Sequence, residues 1–209
     1  MTVLDIGANA GFYTLAFSRL VGDTGHVYAF EPLAQNAANI LRHLELNAIK
    51  NVTLIQAAVA NEPGLSGFRI AGHNAMGAIS GSSTDYIVPT VTLDALVAAG
   101  TFPVPDLIKM DVEGAESRVL DGALKLLASR KTSLLIALHG HKQMELCLAR
   151  LEQSGYSAFQ LDGQPATPHG ATLDEICAAP ATAVASAPAP ATAAATAPQP
   201  ATPTLYQNQ

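Results

Sequence analysis

The sequence has no tryptophan, and its two cysteines, Cys147 and Cys177, stand too far apart for a redox or zinc CxxC pair. Cys147 falls on the apolar side of a helical pattern, which favours a buried free thiol over a disulfide and suits a reducing compartment. Lysine and arginine number only 11, scattered singly, and the net charge is −6. The basic footprint of a nucleic-acid binder is therefore missing. No apolar run approaches the ~20 residues of a membrane span, and the opening residues lack the pattern of a signal peptide. We expect a cytoplasmic protein with neither nucleic acid nor membrane as partner. From Ala178 to Gln209 there is no charge and no histidine, and Ala, Pro and Thr dominate. Such a stretch buries too little side chain to offset its ordering entropy, so we expect residues 178–209 to be a disordered tail and 1–177 to form one domain.

What is present begins at once. Val3-Leu4-Asp5-Ile6 is a short apolar run carrying one acid, and Gly7-Ala8-Asn9-Ala10-Gly11 is a turn with two glycines. An amphipathic segment from Phe12 to Leu20 follows. Buried strand, glycine loop and helix start, in that order, make a cradle for an anionic ligand group at a helix N-terminus. Further strands are expected at His26–Phe30, Val52–Gln56, Asp106–Asp111, Ser133–Leu138 and Tyr156–Leu161. Helices are expected at Gln35–Ala48, Asp94–Ala99, Gly114–Ser129 and Lys142–Gln153. Gly64–Ile70 and Tyr86–Leu93 read as extra extended segments, and the Gly- and Ser-rich Ala71–Thr84 stretch reads as a mobile lid or acceptor loop. Strands alternating with helices imply an α/β fold around a parallel sheet, with ligands outside the carboxyl ends of the strands. That rule selects Asp5 to Gly11, Glu31, Gln56, Asp111 to Gly114, and His139 to His141.

Glu31 ends the second strand ~20 residues past the loop, where an acid accepts hydrogen bonds from ribose hydroxyls. Nicotinamide and adenosyl cofactors share that ribose. The dinucleotide spacing Gly-x-Gly-x-x-Gly is absent, with Asn9 where its middle glycine belongs. Asp5 is unfavourable beside a pyrophosphate but useful beside a cationic ligand. The loop suits S-adenosylmethionine, which carries a sulfonium and an ammonium together with a carboxylate. A nicotinamide oxidoreductase is the rival from another class.

Three stretches in order, Leu4-Asp5-Ile6-Gly7-Ala8-Asn9-Ala10-Gly11-Phe12-Tyr13-Thr14, Val27-Tyr28-Ala29-Phe30-Glu31-Pro32 and Ile108-Lys109-Met110-Asp111-Val112-Glu113-Gly114-Ala115-Glu116, resemble the FkbM family of S-adenosylmethionine-dependent methyltransferases. The resemblance runs from Val3 to about Leu161. It implies the class I methyltransferase, Rossmann-like fold, a mostly parallel central sheet with helices on both faces. It also implies O-methylation of a hydroxyl on a sugar or other secondary metabolite, so a small-molecule or glycan acceptor. Cofactor contacts are then expected from Asp5, Gly7, Asn9, Gly11, Glu31, Asp111 and Gln56, the last where class I relatives keep a polar adenine contact. Two departures stand out. Relatives carry helical sequence ahead of the glycine-loop strand, so the domain is expected to lack that extension, and Ala137 stands where they commonly have a glutamate two residues before the histidine. A relative that binds cofactor without turnover is the alternative.

On the acceptor side, Lys109, Asp111 and Glu113 alternate and would share one face of an extended strand. Asp111 is placed for the methionine part of the cofactor or the acceptor hydroxyl. Glu113 also suits a helix-start acid, and Lys109 an ion-pair partner. His139 and His141 follow a buried strand, where they serve as a general base or as solvated loop histidines. The candidate bases are Asp111, Glu113 and His139. No second cluster of metal ligands is apparent in the sequence, and no metal is expected.

Overall fold

The computed structural model describes residues 1–71, 76–79, 85–168 and 175–184. In chain order the first half comprises β1 (Thr2–Ile6), α1 (Phe12–Val21), β2 (His26–Phe30), α2 (Ala34–Leu46), β3 (Val52–Ile55), β4 (Ala58–Val59), β5 (Gly64–Ala71), β6 (Met76–Ile79) and β7 (Tyr86–Val91). The second half comprises α3 (Leu93–Ala98), β8 (Leu107–Met110), α4 (Glu116–Asp121), α5 (Leu124–Ala128), β9 (Ser133–Ala137), α6 (His141–Gln153), β10 (Tyr156–Gln160), β11 (Glu175–Pro180) and α7 (Ala181–Val184). No helix among the described residues is long and apolar enough to cross a membrane.

Seven strands form the main sheet in the order β10-β11-β9-β8-β1-β2-β3, parallel except for β11, which runs against both neighbours. The central strands are apolar because both faces are covered. Leu4, Ile6, Phe30, Ile108, Met110 and Ile136 are fully buried, each burial stabilising by roughly 1.5–3 kcal/mol. Register places the site. Ile6 pairs with Phe30 on one side and Met110 on the other, and Met110 pairs with Ile136. Four strands thus end level, and the residues after them emerge along one edge. The chain turns outward in opposite directions from β1 and β8, so the cleft between them is the switch point of the sheet.

Three expectations are corrected. The apolar stripe from Gly114 to Ser129 is two helices, not one. The chain breaks at Gly122, where an added Cβ would strike the Ala60 carbonyl oxygen, so backbone packs on backbone there. Asp94 of α3 then caps the second helix, accepting from the N–H groups of Lys125 and Leu126 at 2.9 and 2.8 Å. Second, the expected boundary after Cys177 falls inside β11. Ile176, Ala178 and Pro180 alternate inward there, and the strand lies between β9 and β10. Small residues suffice in a strand packed on both sides, which composition alone does not reveal. Residues 185–209 of the expected tail lie outside the described residues. Third, the middle segments form a separate four-stranded sheet, β4-β7-β5-β6. Its Ala58, Phe68 and Val88 pack on Leu33 at the start of α2. Within the expected Ala71–Thr84 loop, 76–79 is β6, while 72–75 and 80–84 lie outside the described residues.

Candidate active site

The glycine loop is held by backbone bonds before any ligand is considered. The N–H groups of Gly7 and Ala8 both donate to the Phe30 carbonyl at 3.0 Å, and Gly11 N–H donates to Ala8 O at 2.8 Å. Gly7 has φ +78°, and a Cβ on it would collide with the Asp111 carbonyl oxygen, so β1 and β8 exit side by side only because this residue is glycine. Asn9 takes φ +50°, a conformation its side chain tolerates. No side chain caps α1, whose first turn therefore presents backbone donors.

Glu31 is 4% exposed at the end of β2. Its Oε2 accepts from Asn9 N–H at 2.9 Å, and its Oε1 from Leu33 N–H at 3.0 Å and from Asn36 Nδ2 at 3.3 Å. Burial pushes its carboxyl above the ordinary range, opposed by these bonds. The adjoining cleft is lined by Ile6, Gly7, Asn9, Phe30, Glu31, Pro32, Asn36, Ala57, Ala58, Val59, Phe68, Asp111, Val112, Glu113 and Ala115. An acid with donors at one end and a mostly apolar wall beside it fit a nucleoside, polar at the ribose and flat and apolar at the base.

Of the expected cofactor contacts, Gly7, Asn9, Glu31 and Asp111 line this cleft, and Asp5, Gly11 and Gln56 do not. Asp5 is fully buried behind the loop. It accepts from Thr14 Oγ1 at 2.5 Å and pairs with Lys109 Nζ at 3.5 Å. Burial raises its carboxyl, with Lys109 and Thr14 pulling the other way. Gln56 is exposed, and Ala57 and Ala58 take the place at the cleft wall. Lys109 is the buried cation of the site, 3.5 Å from Asp5, 3.9 Å from Asp111 and 4.6 Å from the centre of the Tyr13 ring.

Beyond β8 and β9 a second cluster is built on His139. Its Nε2 lies 3.6 Å from Asp111 Oδ1 and 3.4 Å from Glu113 Oε2, and all three side chains are about one-third exposed. Its Nδ1 lies 2.7 Å from Oε1 of Glu116, which has no exposed surface. Oε1 also accepts from Gly114 N–H at 2.9 Å. Gln143 of α6 latches the same turn, donating to Gly114 O at 2.7 Å and accepting from Ser117 N–H at 3.1 Å. Burial lowers the imidazole's proton affinity, but the bond to Glu116 and the fields of Glu113, Glu116 and Asp111 outweigh it, and the net shift is upward from 6.5.

The fold brings together Asp111, Glu113 and His139 and separates His141, which opens α6, is 58% exposed at its side chain and pairs with Glu145 at 3.2 Å. Strand alternation is not what aligns Glu113. β8 stops at Met110, and Glu113 turns back through φ +53°. Asp111, Glu113 and His139 offer one ligand atom each within 4.8 Å of one another, a grouping no sequence spacing revealed. Glu116, Asn36, Phe68 and Tyr13 are the residues that sequence reasoning left out. Glu116 alone carried a signal, an acid two residues after the motif glycine.

Residues 5–158 match the family model described as Methyltransferase FkbM domain. Among solved structures, the methyltransferase FkbM from Methylobacillus flagellatus KT superposes with a TM-score of 0.59 at 18% identity, covering 85% of this chain and 43% of that one. A precorrin-6y C5,15-methyltransferase from Geobacter metallireducens GS-15 superposes at 0.51 with 14% identity, covering 85% and 77%. A protein-L-isoaspartate O-methyltransferase from Methanothrix thermoacetophila is 34% identical over 55 residues, 26% of either chain. The chain thus spans less than half the length of the first and last of these relatives.

Proposed function

The chain belongs to the FkbM methyltransferase family, a family that depends on S-adenosylmethionine, and from that membership we propose that it transfers a methyl group to the hydroxyl oxygen of a sugar or other small molecule. The observation that carries the reading is that one cleft joins both halves of the reaction. Gly7, Asn9, Glu31, Asp111 and Glu113 line it together, and His139 lies against the last two. We assign the catalytic domain to residues 1 through the end of β11.

S-adenosylmethionine, when bound, supplies an electrophilic methyl group. Glu31 would hold its ribose end, and Phe30, Ala57, Ala58, Val59 and Phe68 would wall the base. The protein's main task is then to align donor and acceptor, and orientation of this kind contributes roughly 7–11 kcal/mol to the barrier reduction. Asp111 and Glu113 accept hydrogen bonds from the acceptor and fix its hydroxyl toward His139. Nε2 of His139 receives the hydroxyl proton as the new C–O bond forms. Lys109 supplies the site's positive charge beside Asp111, so the reading needs no metal.

Calorimetry with S-adenosylhomocysteine is the first test, and micromolar binding at one site is expected. The second is a mass-spectrometric screen of hydroxylated acceptors for the gain of one methylene, with and without a chelator. Turnover that survives the chelator supports the reading. No adenosyl binding by the folded protein overturns it, and binding without methylation of any acceptor reduces the protein to a cofactor-binding relative.

A further inference from the structure

Resting on the reading of His139 as base, we propose that Glu116 is its positioning residue: the buried carboxylate holds the Nδ1 proton and so commits Nε2 to the acceptor.

The two nitrogens of His139 face different surroundings. Nδ1 points inward to Glu116 at 2.7 Å, a distance typical of a charge-assisted hydrogen bond. Nε2 points to the open side, where Asp111 and Glu113 at 3.6 and 3.4 Å are too far to fix a tautomer. Glu116 itself cannot swing away. It has no exposed surface, its Oε1 is shared with the Gly114 N–H, and the turn that carries it is bound to Gln143 on α6. A buried carboxylate bonded to one imidazole nitrogen leaves the other as the proton acceptor and stabilises the imidazolium once formed.

The charged and titratable groups around the pair are few. Asp111 and Glu113 face Nε2 from the loop after β8, with Lys109 3.9 Å behind Asp111. From α6 the Cys147 thiol faces Glu116, and burial pushes it up to about 12, so it stays neutral. His141 and Glu145 on the same helix pair with each other at the surface. In the step itself, the acceptor's O–H proton would move to Nε2 as its oxygen takes the methyl group, the broken methyl–sulfur bond leaving its electron pair on the thioether sulfur of S-adenosylhomocysteine. Nδ1 keeps its own proton, and the imidazolium afterwards releases the Nε2 proton to water.

The test is nitrogen-15 NMR of the His139 ring across pH, joined to kcat–pH profiles, in wild type, Glu116→Gln and His139→Gln. Glu116→Gln is expected to lower the His139 titration midpoint, disturb its tautomer and reduce kcat on the order of 100-fold, with KM for the cofactor unchanged. A folded Glu116→Gln protein with kcat within twofold of wild type and an unmoved His139 titration overturns the proposal. His139→Gln with wild-type kcat overturns the base reading instead, while the ring titration still reports separately on the Glu116 contact. Should the Gln variant not fold, Glu116→Asp retracts the carboxylate by one methylene. A lower kcat and a shifted midpoint then support the proposal, and unchanged values overturn it.

Discussion

The backbone N–H of Asn9 donates to Oε2 of Glu31 at 2.9 Å, joining the glycine loop to the end of the second strand across 22 residues of sequence. One carboxylate therefore shapes the loop and faces the proposed ribose site at once.

Replacing it tests both tasks together. Glu31→Gln keeps the size of the side chain, but an amide accepts at one atom where the carboxylate accepts at two. We expect S-adenosylhomocysteine to bind at least about tenfold more weakly, since a hydrogen bond to a charged group contributes about 1.5–3 kcal/mol. Calorimetry at constant pH reads the change, and unchanged affinity would remove Glu31 from the cofactor site.

Gly7→Ala tests backbone rather than chemistry. The residue sits at φ +78° with the Asp111 carbonyl in the place of its Cβ. Strain plus collision should cost more than about 2 kcal/mol, visible as a melting point lower by several degrees. A variant melting with the wild type would mean that β1 and β8 exit less closely than described.

Lys109→Met removes the buried cation between Asp5 and Asp111. An uncompensated buried charge is left on Asp5, and breaking such a pair costs roughly 3–5 kcal/mol. Urea unfolding should show it. The double variant Lys109→Met/Asp5→Asn should recover much of the loss, because the orphaned charge goes with it.

The pH dependence follows from His139. Its proton is held more tightly in the folded protein than at the unfolded value of 6.5. The stability this contributes is complete below that value and fades as pH rises through the raised folded value. A base needs Nε2 free, so kcat should climb through the same interval in which stability falls. His139→Gln should flatten the stability slope there. The raised carboxyls of Glu31 and Asp5 act in the same direction but start from 4.5 and 3.8, so they shape the acidic part of the curve. A wild-type stability profile that is flat from pH 6.5 upward would contradict the arrangement around His139.

Local pattern made much of this readable. The strands β1, β2 and β8 are short apolar runs followed at once by Gly7, Glu31 and Asp111, and β9 by His139 one residue further, and the rule that parallel sheets bind ligands at those ends gathered the candidate residues from sequence. Reading failed where identity depends on a partner far away in sequence. Asp5 looked like a ligand for a cationic group, but Lys109 and Thr14 already occupy it. Glu116 was not singled out, because only the folded chain brings His139 to it from 23 residues on. Gly122 sat unnoticed within an apolar stripe because Ala60, the backbone it packs on, belongs to another element.

β10 hydrogen-bonds to the main sheet through β11 alone, and β11 is read from the chain after everything else in that sheet. During synthesis β10 therefore bonds only to the 164–166 turn that follows it, and joins no strand of the main sheet until β11 has emerged, while β1, β2, β3, β8 and β9 are already complete. A nascent chain paused before Glu175 would hold a finished glycine loop and, away from it, a strand not yet joined to the sheet, a species for chaperones to shield.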